Sequence, residues 1–241
     1  MAQITNSQLP ENGNEESSKR ARLITAAYNI IGIAVGIAGL FSATTNYALM
    51  ALIFYPLSGI VIVLFGKGEI KFISDDKSRI YGSINLGFLI TSLFVLFKSV
   101  DDYTLYQTDK LWLPFIIVGA IILAALYQAG INPFEAKKRA GAIFTLIIGL
   151  IYAYGSTKEI NCAFDNSNSQ IYNATILAHR EHRARRSSSW YLTLSPWGPM
   201  QEVNEEEIDG WLYDHTAIGD TVKVSFKQGL LHIPWFVVTK N

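Results

Sequence analysis

Cysteine is almost absent: Cys162 is the only one in 241 residues, so no disulfide can form within the chain. Charge is scarce as well. Asp, Glu, Lys and Arg make up 17% of the chain, against about 25% in an average soluble domain. The 20 basic side chains cancel 20 acidic ones. Phosphate contacts require a strongly basic surface, so this balance excludes a nucleic-acid binder. The scarcity is local: no charged residue lies in 23–66, and further charge-free runs cover 80–97, 111–134 and 140–157. Pumps, ion-coupled transporters and intramembrane hydrolases need ionisable groups at depth, and these runs hold none. No G-x-S-x-G elbow occurs anywhere. Ser187, Ser188 and Ser189 have only His182 nearby as a base, so serine hydrolysis has no support.

What is present is apolar sequence of membrane-spanning length. A hydrocarbon core about 30 Å thick needs roughly 20 apolar helical residues, and the first run is long enough for two spans with a polar break at Ser42, Ala43, Thr44, Thr45 and Asn46. The sequence therefore predicts an α-helical transmembrane bundle of five spans near 23–42, 47–66, 81–98, 111–131 and 140–155. The last is short and requires local thinning or snorkelling of Lys138 and Arg139. Basic residues alternate by loop. Ten of them (Lys19, Arg20, Arg22, Lys67, Lys71, Lys77, Arg79, Lys137, Lys138, Arg139) lie on one side and two (Lys98, Lys110) on the other. By the positive-inside rule the N-terminus is cytoplasmic and 156–241 is extracytoplasmic, in the cytoplasmic (inner) membrane. Residues 1–22 are polar and predict a disordered cytoplasmic tail. No cleavable signal peptide is expected, because the apolar stretch from Leu23 runs on into a second span.

Within the spans, Asn29, Asn85 and Gln128 are candidates for interhelical hydrogen bonds or for the lining of a polar pathway. Gly32, Gly36 and Gly39 form a small-residue strip on the first helix. It suits packing within the chain, for which Ala120 and Ala124 offer a facing strip, or a homo-oligomer.

From Lys158 onward charge and turn residues return, and 156–241 reads as a small β-rich domain of four or five strands. Apolar and polar residues alternate around 172–179, 190–195 and 222–227, followed by an apolar run, 231–238. Asn204 and Glu207 suggest a capping box for a short helix through Ile208, Trp211, Leu212 and His215. Trp190, Trp235 and Phe226 are expected to share the core.

The stretch Gly219-Asp220-Thr221-Val222-Lys223-Val224, then Gly229, then Ile233-Pro234-Trp235 resembles the C-terminal domains of uncharacterised bacterial multi-pass membrane proteins. The resemblance covers about the last 70 residues, implies a membrane-anchored β-domain facing away from the cytoplasm, and brings no activity with it. Read as residues, Gly219 and Asp220 form a turn.

Candidate contacts lie in this domain. Arg180, Arg183, Arg185 and Arg186 form a basic cluster suited to anionic headgroups or an acidic partner. Trp197, in the Ser195-Pro196-Trp197-Gly198-Pro199 loop, is a candidate anchor for lipid or ligand as well as a core residue. His179 and His182 fall on opposite sides of a strand, so no metal site is expected. Neither a catalytic set nor a cofactor site is visible. The expected function is non-enzymatic: an integral membrane protein displaying a β-domain to an envelope protein or to lipid. A channel or transport component for an uncharged solute is the alternative, and a membrane enzyme using His179, His182 or Asp220 ranks below both. Cys162 is expected just beyond the last span, open to thiol reagents.

Overall fold

The computed structural model describes residues 12–41, 47–66, 68–73, 83–183 and 188–241, with side chains from residue 19 onward. The chain forms two compact units, Met1–Val100 with Leu113–Glu159, and Asp101–Trp112 with Ile160–Asn241.

The first unit is built from α1 (Asn12–Leu40), α2 (Tyr47–Phe65), most of α3 (Asn85–Asp102), α4 (Trp112–Gln128) and α5 (Arg139–Ala163). Four segments are long and apolar enough to cross a membrane: Lys19–Leu40, Tyr47–Phe65, Thr108–Gln128 and Arg139–Ala163. α3, at the remaining expected span of 81–98, is not among these four: it begins at Asn85 and its 18 residues close with Lys98, Asp101 and Asp102. The helix expected at 140–155 is longer than its apolar run. Instead of stopping near 155, α5 runs 25 residues to Ala163, about 37 Å at 1.5 Å per residue. Ser156 and Thr157 do not break it, since their hydroxyls donate back to the Ala153 carbonyl at 3.3 and 2.7 Å.

This extension changes what the helices contain. Lys158 and Glu159 lie inside α5 and Lys98 inside α3, all buried, whereas the sequence places no ionisable group within a span. The tail expectation also changes: α1 is helical from Asn12, while residues 1–11 and the polar break at 42–46 lie outside the described residues.

Glycines let these helices approach. A Cβ on Gly32 would stand 3.1 Å from the Gly87 Cα of α3, one on Gly36 would strike Phe94, and one on Gly39 would strike Leu52 of α2. The strip therefore packs on α2 and α3 of its own chain, while Ala120 and Ala124 are exposed. Gly155 of α5 similarly admits the backbone of α3 at Leu96, at 2.8 Å from its notional Cβ.

The second unit is a six-stranded antiparallel sheet in the order β1-β6-β5-β2-β3-β4. Its strands are β1 (Thr104–Leu105), β2 (Gln170–Arg183), β3 (Ser188–Leu194), β4 (Asn204–Ile208), β5 (Thr221–Lys227) and β6 (Trp235–Lys240), with α6 (Gly210–Asp214) between β4 and β5. The sequence predicts four or five strands confined to 156–241, and the structure corrects both points. β1 comes from the α3–α4 connection and pairs with β6, Leu105 opposite Trp235. β4 occupies the stretch assigned to a capping box. The cap of α6 is instead Asp209, whose carboxylate accepts the Leu212 N–H at 2.7 Å.

β2 serves two partners. Its first half pairs with β5 and its second with β3, with a register shift between Ile176 and Ala178. A bulge of this kind bends a long strand and curls the sheet. Ala174, Ile176, Leu192, Leu194, Val222, Val224, Phe226 and Phe236 fill the resulting core, together with Trp197 and Leu212. Trp190, expected in that core, is only half-buried.

Candidate functional site

In the helical unit, the polar residues singled out from sequence are engaged in packing. Asn29 donates from Nδ2 to the Ser83 carbonyl at 2.9 Å and accepts the Gly87 N–H at 2.8 Å, tying α1 to the start of α3. Asn85 accepts from the Thr145 hydroxyl of α5 at 3.4 Å. Sequence reading missed a stronger tie: Tyr28 and Tyr55 stack at 4.7 Å, and each hydroxyl donates to the other residue's carbonyl, at 3.2 and 2.6 Å. Tyr28 fits there because glycine stands opposite it, at Gly59 of α2 and Gly87 of α3.

Gln128 lies elsewhere, on a cleft of about 340 Å³ at the ends of α2 and α4 and the start of α5. Its apolar wall includes Val63, Leu64, Ile70 and Ile131, and its charged groups are Lys71, Glu135 and Lys138. Local chemistry shapes the walls. α4 stops at Gly130, φ 89°, with Ile131 N–H bonded to the Leu126 carbonyl and Gly130 N–H to that of Tyr127, at 3.1 and 3.0 Å, a Schellman closure. Asn132 then accepts the Phe134 N–H at 2.9 Å, and Lys138 stands 3.5 Å from the Glu135 carboxylate. On the facing side, the Lys71 carbonyl accepts the Ile84 N–H at 3.1 Å.

In the sheet unit, the described part of the arginine cluster is matched by acid. Arg180 donates to Glu205 and lies 5.0 Å from the centre of the Tyr191 ring. Arg183 donates to Glu181 at 2.7 Å, and that guanidinium holds the carboxyl below its usual range. Arg185 and Arg186 lie outside the described residues. Trp197 takes the core role that the sequence favours over that of an anchor: it is 3% exposed and packs edge-on to Phe236 at 5.0 Å. Trp211, by contrast, is exposed and stacks on His215 at 4.6 Å. His179 packs against Tyr213 at 4.7 Å. Among the described residues no three His, Cys, Asp or Glu side chains gather as a metal ion would require.

The most densely bonded polar group in this unit is one the sequence did not suggest. Asp165, two residues beyond α5, accepts the Trp235 indole N–H and the Gly229 N–H on Oδ2, both at 2.8 Å, and the Ser167 N–H on Oδ1 at 2.8 Å. Burial pushes its pKa up, but these donors outweigh burial and hold it below the usual carboxylate value. Asn161 works beside it, donating to the Ile233 carbonyl and accepting the Leu231 N–H, each at 2.9 Å. The glycines of the motif also have structural duties. Gly219 (φ 93°) and Gly229 (φ 78°) adopt left-handed backbone, and Asp220 accepts the Ala217 N–H at 2.8 Å.

Cys162 is corrected as well: it lies in α5 and is 2% exposed. No protein-family model, curated protein or solved structure matches this chain.

Proposed function

We propose that this chain is a non-enzymatic, multi-pass protein of a bacterial cytoplasmic membrane, with a cytoplasmic N-terminus and the sheet unit displayed outside to an envelope protein or to lipid headgroups. Five helices cross in this reading, α3 included. The observation that carries it is the engagement of the helical unit's polar side chains. Asn29, Asn85, Tyr28 and Tyr55 bind neighbouring helices, which supports a scaffold and takes two of the three pathway candidates away from the transport alternative. α3 is tolerated in lipid because its neighbours cover it: Gly87 meets α1, and Leu96 meets Gly155 of α5. Its charges gather at one end.

The same reading fits the sheet's edges. β1 has two residues, too few to template another strand, and β4 carries Glu206, half-buried, where an inward-facing acid discourages strand addition. A partner therefore meets side chains, with Trp211 (59% exposed) and Ile218 (66%) among the apolar groups offered.

The test is Ile218→Cys in a Cys162→Ala background, treated in intact cells with a membrane-impermeant maleimide. Labelling before lysis supports external display; labelling only after lysis places the sheet in the cytoplasm and reverses the orientation.

A further inference from the structure

We infer that the cleft at the ends of α2 and α4 and the start of α5 binds the headgroup of an anionic phospholipid, its phosphate held by Lys71 and Lys138. The inference rests on the reading that these helices cross a membrane, and on none of the features of the sheet. Its volume, about 340 Å³, falls at the lower end of ligand pockets, about 300–1,000 Å³, and suits a phosphoglycerol group rather than a whole lipid. Its charge is positive: two ammonium groups face one carboxylate, and Lys137 and Arg139 flank Lys138 in the chain. Both cleft lysines also make other contacts within the chain. An ammonium has three donors, so those contacts leave capacity for a phosphate oxygen.

The apolar wall selects lipid over a free phosphoester. Leu64 lines the cleft and is 41% exposed; outside the cleft, Phe65 and Phe134, each next in sequence to a lining residue, are 80% and 82% exposed. A soluble anion gains nothing from such a wall, whereas acyl chains leaving a bound headgroup would cover it. Basic pockets between spanning helices on the cytoplasmic side are a general means of holding anionic headgroups, and the alternation of basic loops assigns this end to that side.

The test is native mass spectrometry of the full chain released from detergent with phosphatidylglycerol, phosphatidylcholine or glycerol 3-phosphate. Retention of phosphatidylglycerol over phosphatidylcholine is expected. Lys71→Gln with Lys138→Gln should lower that retention roughly 10- to 30-fold. Glu135→Gln, which releases Lys138 from its carboxylate, should raise it about 2- to 5-fold. Lys137→Gln, outside the cleft, should change it less than about twofold. Equal retention of both lipids, or a loss from Lys137→Gln as large as from the double variant, overturns the site. So does retention unchanged in the double variant with a lowered melting temperature, which would make the lysines partners of helix ends only. Displacement by glycerol 3-phosphate at equal concentration would replace lipid with a soluble phosphoester. If the double variant does not fold, a photoactivatable phosphatidylglycerol crosslinked to the wild-type chain decides: adducts within 63–73 or 128–142 support the site, and adducts only elsewhere remove it. Release of the chain from membranes by alkaline carbonate would instead mark failure of the membrane reading itself.

Discussion

The carboxylate of Asp165 accepts the indole N–H of Trp235 at 2.8 Å, and both residues are buried. The same oxygen accepts the Gly229 N–H, so one side chain from the turn after α5 fixes the β5–β6 connection and the start of β6. Asp165→Ala leaves two buried donors without a partner, which costs about 2–5 kcal/mol. Denaturant unfolding followed by tryptophan fluorescence should show that loss, and an unchanged midpoint would remove the role given to Asp165.

The depressed pKa of Asp165 has a pH consequence. Its stabilisation is complete above the unfolded-state value, about 3.9, and is lost as pH falls through the lower folded-state value. Stability of the sheet unit should therefore fall below about pH 4. The component lost there should be missing from Asp165→Asn, whose unfolding midpoint is lower at neutral pH and declines less steeply on acidification.

Glu206 is the opposite case. Burial raises its pKa, and the 2.6 Å hydrogen bond from Asn204 only partly answers it. A raised folded-state pKa means that the ionised form costs stability, with the cost appearing as pH rises from the unfolded value through the folded one. Glu206→Gln should stabilise the sheet by about 0.5–1 kcal/mol at pH 7 and do nothing at pH 3.5. A gain of equal size at both pH values would point to packing instead.

Much of this organisation is legible in the residues, and the failures have identifiable causes. Charge-free runs mark all five helices of the first unit, because lipid admits few exceptions. The rule that finds them also ends a helix at its first charged residue, so it cut α5 before Lys158 and Glu159, which protein burial accommodates. β1 is too short for any period to register. In β4 the residues alternating in burial are Asn204, Glu206 and Ile208, and acid on both faces hides the period of two. Two prolines and a glycine around Trp197 mark a loop and its tryptophan reads best as a core residue; the pairing of Trp197 with Met200 at 2.8 and 2.7 Å, which turns it inward, is not encoded in the spacing. The glycine strip was visible, but its partners, Leu52, Gly87 and Phe94, follow from packing that no local spacing encodes.

The Tyr28 notch tests the helical packing. A methyl group at Gly59 would lie 2.3 Å from the Tyr28 hydroxyl oxygen, so Gly59→Ala should cost about 1–3 kcal/mol through overpacking. Tyr28→Phe loses the bond to the Tyr55 carbonyl, worth about 1 kcal/mol. Together they should cost less than the sum, since the second change removes the atom that the first one strikes. Additive losses in detergent melting curves would separate Tyr28 from Gly59.

Cys162 tests the length of α5. Were the helix to end near 155, the thiol would stand in a surface segment and react with maleimide as quickly as a free cysteine. In the structure it is helical, 2% exposed, and beside Asn161, whose bonds to Ile233 and Leu231 hold the β5–β6 connection. Reaction then requires local opening, and each 1.4 kcal/mol of opening free energy slows it about tenfold. The native chain should react at least about 100-fold more slowly than the denatured one, with membrane-permeant and impermeant reagents alike. Asn161→Ala, which releases the connection and removes the amide N–H that contacts the Cys162 sulfur at 3.6 Å, should accelerate the reaction. Rapid labelling of the native wild type would return α5 to its shorter form and detach Asn161 from the role given to it.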